Sequence, residues 1–207
     1  MANIFHYLNK VDSYKPVISV DNFFTEEEMN TLNLQLSKIE ATAAIVGVSV
    51  YTLKNQEDYD KAVNDTHNTR KSNVYWCTDK EFVWVYDKLT ILINHVNLTN
   101  YNKVLYGIEP LQYSEYDSKY NGFYSRHVDT SDDRVPIIRS LSFTIQLCRE
   151  EDYAGGELLI YYGKGTIKAN KNYGSITFFD STILHEVTPV TSGFRKSLVG
   201  WVLGPRV

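Results

Sequence analysis

The sequence predicts a mainly β (α+β) fold, in which a rolled β-core is buttressed by two N-terminal helices. Apolar residues recur at helical spacing in two stretches of the first half of the chain. From about residue 103 the chain instead consists of short β-rich segments separated by Gly, Asn, Asp and Pro, which is typical of a sandwich or barrel. The 207 residues contain no Pro-rich linker and no internal repeat, so one domain over 1–207 is expected.

The first half, 1–102, is predicted to supply helical support. A short apolar run at 17–20 indicates a strand. Thr25 and Glu28 then have the spacing of a capping box, in which each side chain accepts a hydrogen bond from the other residue's backbone N–H. The helix that follows is predicted over about 25–39 from the recurring apolar residues Met29, Leu32, Leu36 and Ile39.

Residues 54–73 are polar and show no sustained period, so we expect a long surface loop there. A lid over a substrate and an insertion without a role are both open interpretations. Strand 74–77 follows, and Thr78 with Glu81 has the spacing of a second capping box. That pair introduces the second predicted helix, over about 79–97, which is marked by Phe82, Val85, Leu89, Leu92, Ile93 and Val96.

The second half, 103–207, is predicted to form the catalytic β-core. Its β-rich segments are bounded by turn residues, and the helices precede them, so the helices are expected to cover one face of the core. Strands are predicted near 103–107, 110–117, 122–127, 139–148, 157–162, 166–169, 175–179, 185–190 and 195–203.

Charge and cysteine content limit the class of protein. A net charge of -4 and a pI near 5.7 argue against a general nucleic-acid binder, which usually carries a basic face. Cys77 and Cys148 are far apart and belong to no C-x-x-C pair, so we expect buried, reduced thiols. The N-terminus does not resemble a secretory signal, and no apolar run is long enough for a membrane span. A cytoplasmic protein without a membrane partner is expected.

The strongest chemical signal lies at 124–129, which reads YSRHVD. His127 and Asp129 are two residues apart at a strand end, so their side chains point to the same face. His185 is the candidate for a third ligand, and two His with one carboxylate form the facial triad that holds non-haem Fe(II). Arg195 follows ten residues later, and an Arg inside a rolled sheet is costly unless it meets an anion.

These motifs resemble the Fe(II)- and 2-oxoglutarate-dependent dioxygenases of the prolyl 4-hydroxylase type, and most of all the PKHD-type hydroxylases. The matching text comprises 124–129, 139–144, 152–158 and 184–195. The resemblance implies a double-stranded β-helix of the jelly-roll or cupin kind. It also implies that three residues are the iron ligands: His127, Asp129 and His185.

The resemblance further implies a 2-oxoglutarate subsite. Arg195 would bind the distal carboxylate of this co-substrate, with Ser197 assisting. A phenol from Tyr113 or Tyr116 would also contact it, and the unusual spacing of 117–122 leaves that choice open. Gln146 stands where related hydroxylases carry another hydrogen-bonding side chain. O2 is the second co-substrate, and ascorbate is a candidate accessory reductant.

The implied reaction is hydroxylation of a C–H bond, with a prolyl residue of a peptide or protein as the first candidate substrate. A free amino acid or small metabolite is the alternative within the enzyme class. A non-catalytic metal-binding β-barrel is the alternative outside it. Dioxygenases that repair nucleic acids carry a second Arg six residues after the first, whereas Trp201 occupies that position here.

Overall fold

The computed structural model describes residues 14–46, 53–78, 80–130 and 135–206. The described residues form three α-helices: α1 Glu26–Leu36, α2 Gln56–Thr66 and α3 Val83–Val96. They also form fourteen strands: β1 Val17–Val20, β2 Thr42–Ala43, β3 Arg70–Lys71, β4 Asn73–Cys77, β5 Gly107–Ile108, β6 Leu111–Asp117, β7 Phe123–His127, β8 Ile137–Gln146, β9 Tyr153–Gly155, β10 Leu158–Tyr162, β11 Gly165–Lys168, β12 Ile176–Asp180, β13 His185–Val187 and β14 Val190–Pro205.

Two antiparallel sheets face each other. The larger sheet has the order β1-β12-β8-β14-β6-β4-β2, with β5 and β9 pairing further along β14. The smaller sheet has the order β11-β10-β13-β7-β3. Buried side chains of both sheets meet in one cluster, which includes Tyr116 and Phe179 from the larger sheet and Ile160 and Val187 from the smaller. The predicted mainly β fold, a double-stranded β-helix, is confirmed.

Strand β8 shows how the larger sheet separates a dry face from a polar one. Side chains alternate along a strand, so Leu141, Phe143 and Ile145 point to one face while Ser142 and Thr144 point to the other. The apolar face packs against α1 and α3 in the main hydrophobic core. The polar face points toward the smaller sheet. Helical support on one face of the core is therefore confirmed for α1 and α3.

The first predicted capping box is present at α1. The backbone N–H of Glu28 donates to the Thr25 hydroxyl, and the Glu28 carboxylate accepts from the Thr25 N–H at 2.7 Å. The second predicted box is wrong. A 3₁₀ turn, Lys80–Phe82, precedes α3, whose N-cap Phe82 makes no side-chain capping bond. The apolar residues of this segment were assigned correctly, but the helix begins four residues later than predicted.

The prediction of a long loop over 54–73 is wrong, because α2 and β3 occupy most of it. The fold therefore has three helices among the described residues and not two. Asn55 caps α2 by accepting from the backbone N–H of Asp58 at 2.8 Å. Ala62 and Thr66 are the buried residues of this mostly polar helix, and the Thr66 hydroxyl accepts from the N–H of Val46. A lid-like role for this segment stays a prediction.

The strands of the second half lie close to their predicted places, with three differences. Strand β9, Tyr153–Gly155, was not predicted. The strand expected over 103–107 is reduced to β5. Arg195 does not open the last strand but lies inside β14, which begins at Val190. Strands of the first half also join both sheets, so β1 to β4 are part of the β-core. No helix of the described residues is long and apolar enough to cross a membrane.

Candidate metal centre

Three predicted ligands meet at the end of the smaller sheet. His127 ends β7 and lies directly opposite His185, the first residue of β13, in the antiparallel register. Asp129 follows β7 by two residues, where its N–H donates to the Ser181 carbonyl. One possible ligand atom from each residue lies within 4.8 Å of the others. This is the arrangement expected of a facial His₂-carboxylate metal site.

Both imidazoles are oriented by the backbone. The Nδ1 atom of His127 lies 2.8 Å from the Ser125 carbonyl, and that of His185 lies 2.9 Å from the Ile183 carbonyl. Because a carbonyl only accepts, each Nδ1 carries the proton and donates it. Each Nε2 then has a free lone pair, and these atoms lie 3.5 and 3.4 Å from the Asp129 carboxylate oxygens. The two Nε2 atoms are thus positioned as ligands.

The carboxylate of Asp129 is held in place and kept ionised. Its Oδ2 accepts a hydrogen bond from the Ser142 hydroxyl at 2.8 Å, and Ser142 in turn bonds with Ser181. Burial raises the pKa of Asp129, but its hydrogen bonding and its electrostatic interaction with the neighbouring His127 and His185 outweigh this effect and hold the pKa well below its usual range. An ionised carboxylate is the form that binds a divalent cation.

His185 is the more buried imidazole. Burial lowers its pKa, and this effect outweighs the nearby Asp129 carboxylate, which raises it. The ring therefore stays neutral near pH 7 with its lone pair available. The His127 ring is shielded by the Tyr124 ring, which stacks on it with ring centroids 3.6 Å apart. Tyr124 is accordingly a packing partner of a ligand.

Arg195 lies in the same cavity and is 3% exposed. Its Nη1 donates to the Ser197 hydroxyl at 3.1 Å, and its guanidinium carbon lies 5.3 Å from the centre of the Tyr116 ring. No carboxylate of the described residues lies within ion-pair distance of it. A buried guanidinium without an anion is destabilising, so the geometry fits a ligand that brings its own carboxylate.

The structure separates the two tyrosines that the sequence left open. Tyr116 pairs with Arg195 across β6 and β14 and lines the cavity. Tyr113 points to the opposite face, where it belongs to the main core and its hydroxyl donates to Glu115 at 2.7 Å. Burial and that hydrogen bond raise the pKa of Tyr113. Tyr113 is therefore not a member of the cavity.

Gln146 lies beside the cavity at its deep end. Its Nε2 donates to the Tyr153 hydroxyl at 2.9 Å, and both residues line a smaller space behind Arg195. The side chain is thus engaged with the protein, whereas Ser197 contacts Arg195 directly. The structure brings Gln146 near the predicted co-substrate subsite without pointing its donor at the metal centre.

Arg70 also lies at the site, although it was not among the predicted site residues. It is 7% exposed and lines the cavity, with its guanidinium 4.7 Å from the centre of the Tyr124 ring. Its Nη2 donates to Gln112 and to Ser114, so its partners are neutral. Only strand pairing brings β3 beside β7, so no local spacing in the sequence could identify this residue.

Residues 111–203 match the family model of the 2OG-Fe(II) oxygenase superfamily. This part of the chain is similar to the 2OG-Fe(II) oxygenases. The matched segment spans β6 to β14 and contains all three candidate ligands and Arg195. Members of that superfamily use Fe(II) and 2-oxoglutarate, and the two His with one carboxylate and the buried Arg195 described above fit both.

Two proteins with similar sequences are PKHD-type hydroxylases. The chain is 42% identical over 84 residues to a PKHD-type hydroxylase of Alteromonas mediterranea, an alignment that covers 38% of this chain and 37% of that protein. It is 28% identical over 190 residues to a PKHD-type hydroxylase of Crocosphaera subtropica, covering 90% of this chain and 78% of the relative. The stronger identity is thus confined to less than half of either protein.

Solved structures share the fold over nearly the whole chain. A prolyl-4-hydroxylase of Pseudomonas putida has a TM-score of 0.69 at 18% identity, covering 95% of this chain and 97% of that one. A Trichoplax adhaerens prolyl hydroxylase, in complex with a peptide fragment of hypoxia inducible factor, has a TM-score of 0.68 at 18% identity, covering 94% and 86%. At these identities the likeness establishes the fold.

Proposed function

We propose that the protein is an Fe(II)- and 2-oxoglutarate-dependent dioxygenase that hydroxylates a prolyl residue in a peptide or protein. One observation carries the proposal: a His₂-carboxylate triad and a buried arginine without an anionic partner share one cavity, in a segment similar to the 2OG-Fe(II) oxygenases. Bound Fe(II) would couple oxidative decarboxylation of 2-oxoglutarate by O2 to hydroxylation of a substrate C–H bond, with succinate and carbon dioxide as products.

The chain's own residues would bind and orient the reactants. His127, Asp129 and His185 would hold the metal through two Nε2 atoms and one carboxylate. Arg195, supported by Ser197, would hold the far carboxylate of 2-oxoglutarate, with Tyr116 beside it. The same cavity is lined by the apolar side chains Leu158, Phe179 and Val187, which limit access of water to the reacting groups.

Aromatic surface at the mouth supports a prolyl substrate. Trp76 is 42% exposed and packs on Trp201, which lines the cavity, with ring centroids 5.9 Å apart. Arg139 stacks on Trp201 at 3.7 Å and pairs with Glu109 through two hydrogen bonds. Proline rings pack well on flat aromatic faces, and the Trichoplax relative is seen with a peptide.

The substrate class is tested by mass spectrometry. Protein loaded with Fe(II) is incubated with 2-oxoglutarate, O2 and either a proline-containing peptide library or a mixture of free amino acids, with His185→Ala as the control. A mass increase of one oxygen on a prolyl residue, absent with the control, is the expected result. If only free amino acids are hydroxylated, the substrate is a small metabolite and not a prolyl residue of a peptide.

That alternative is favoured by one observation, the buried Arg70. With only neutral partners among the described residues, its guanidinium would be stabilised by a substrate carboxylate close to the metal. A free amino acid or a small organic acid carries such a group. Arg70→Gln would then raise the KM of an anionic substrate much more than that of a neutral peptide.

We also propose a cytoplasmic location. Cys77 and Cys148 are both buried and neither forms a disulfide, which fits a reducing compartment.

A further inference from the structure

Thr144 has a buried hydroxyl oxygen with no hydrogen-bond partner among the described residues. Leaving such a group unpaired costs about 1–3 kcal/mol, so an unpaired hydroxyl facing a cavity often marks a ligand contact. Thr144 lines the metal cavity, and it also lines the smaller space behind Arg195. It is therefore placed along the route that joins the metal centre to Arg195.

The pairing register of β14 and β8 fixes the position of Thr144 along the barrel. The Arg195 side chain reaches the level of Ser197, to which it donates a hydrogen bond. The Asp129 carboxylate lies at the level of Ser142, from which it accepts a hydrogen bond. Thr144 lies between these two levels, two residues along the strand and thus about 7 Å from each. The successive pairs, from Arg195 toward the metal centre, are Ser197 with Gln146, Val199 with Thr144, and Trp201 with Ser142.

The other side chains of this level are either apolar or hydrogen bonded to other residues. Val199 is apolar. The Gln112 carbonyl oxygen accepts from Arg70, and the Thr177 hydroxyl is hydrogen bonded to Ser19. Within the described part of the chain, Thr144 is the member of this row whose hydroxyl is left for a ligand.

We infer that Thr144 is a positioning residue for the co-substrate, and that its hydroxyl donates a hydrogen bond to the carboxylate of the 2-oxo acid held by Arg195. The inference rests on the proposed function. Because the hydroxyl lies at a fixed level between Arg195 and the metal ligands, it favours a 2-oxo acid with a second carboxylate at its far end. A hydrogen bond to a charged group is stronger than one between neutral groups.

Binding of 2-oxoglutarate to protein loaded with Mn(II), followed by isothermal titration calorimetry, tests this role without turnover. Thr144→Val keeps the shape and removes the hydroxyl, and we expect about 10-fold weaker binding or more, the loss of a hydrogen bond to a charged group. Thr144→Ser keeps the hydroxyl and should bind within about 3-fold of the wild type. For 2-oxovalerate, which lacks the far carboxylate, the Val variant and the wild type should bind equally.

Mn(II) affinity is measured alongside and should not change, which shows that the ligands are still in place. Thr144→Ala replaces the Val variant if the latter fails to bind Mn(II). Unchanged 2-oxoglutarate affinity in the variant without the hydroxyl, or an equal loss for 2-oxovalerate, would overturn the inference. A wild-type protein that binds no 2-oxoglutarate at all would instead contradict the proposed function.

Discussion

At the residue scale, the metal centre depends on hydrogen bonds that fix each ligand from behind. The two backbone carbonyls set which imidazole nitrogen is protonated, and Ser142 sets the direction of the Asp129 carboxylate. The ligands themselves were predictable, because H-x-D places two side chains on one face. Ser142 was not, because its contact with Asp129 depends on the pairing of strands far apart in sequence.

The two tyrosines of β6 give a matched pair of variants. Tyr116→Phe removes a hydroxyl beside Arg195, and we expect about 3- to 10-fold weaker 2-oxoglutarate binding, the loss of one hydrogen bond. Tyr113→Phe removes a hydroxyl that bonds Glu115 on the opposite face and should leave this affinity unchanged. The affinity of the Mn(II)-loaded protein, measured by calorimetry, compares the two. A larger loss for the Tyr113 variant would reverse the assignment.

At the scale of elements, sequence patterns identified α1 and α3 but missed α2. Tyr59, Ala62, Val63 and Thr66 do have helical spacing, and Asn55 is a favoured N-cap residue. The signal was weak because two of these four residues are polar or small and the rest of the helix is polar or charged. In α3 the apolar pattern was strong enough to identify the helix, although the capping residues were wrong.

Strand β14 offers a sharp test of packing on the apolar face of the larger sheet, where Gly200 lies opposite Phe143. A Cβ built on Gly200 would lie 2.1 Å from the Phe143 ring, so Gly200→Ala forces core side chains to move. We expect the free energy of unfolding to fall by about 1–3 kcal/mol in urea denaturation. Gly107→Ala in β5 is the control, because nothing lies within 4 Å of its Cβ, and its effect should stay within about 0.5 kcal/mol. Equal effects of both variants would argue against this packing.

At the scale of the whole molecule, the double-stranded β-helix brings together residues that the sequence places far apart. Asp129 and His185 meet because β7 and β13 are neighbours, and Arg195 joins them from the facing sheet. The order of the motifs allowed this convergence to be predicted from the family resemblance. The part played by Arg70 and Thr144 could not be predicted, because each depends on its level in the barrel and on which partners its neighbours have already taken.

The most direct test of the proposed function is Fe(II)-dependent conversion of 2-oxoglutarate to succinate, measured for the wild type, Asp129→Ala and Asp60→Ala. Asp60 lies on the exposed side of α2, so its variant controls for loss of a carboxylate as such. We predict Fe(II)-dependent, substrate-stimulated succinate formation by the wild type and by the Asp60 variant, and none by Asp129→Ala, because a metal ligand is lost. Undiminished turnover by Asp129→Ala, or a wild type that neither binds 2-oxoglutarate nor forms succinate, would contradict the account.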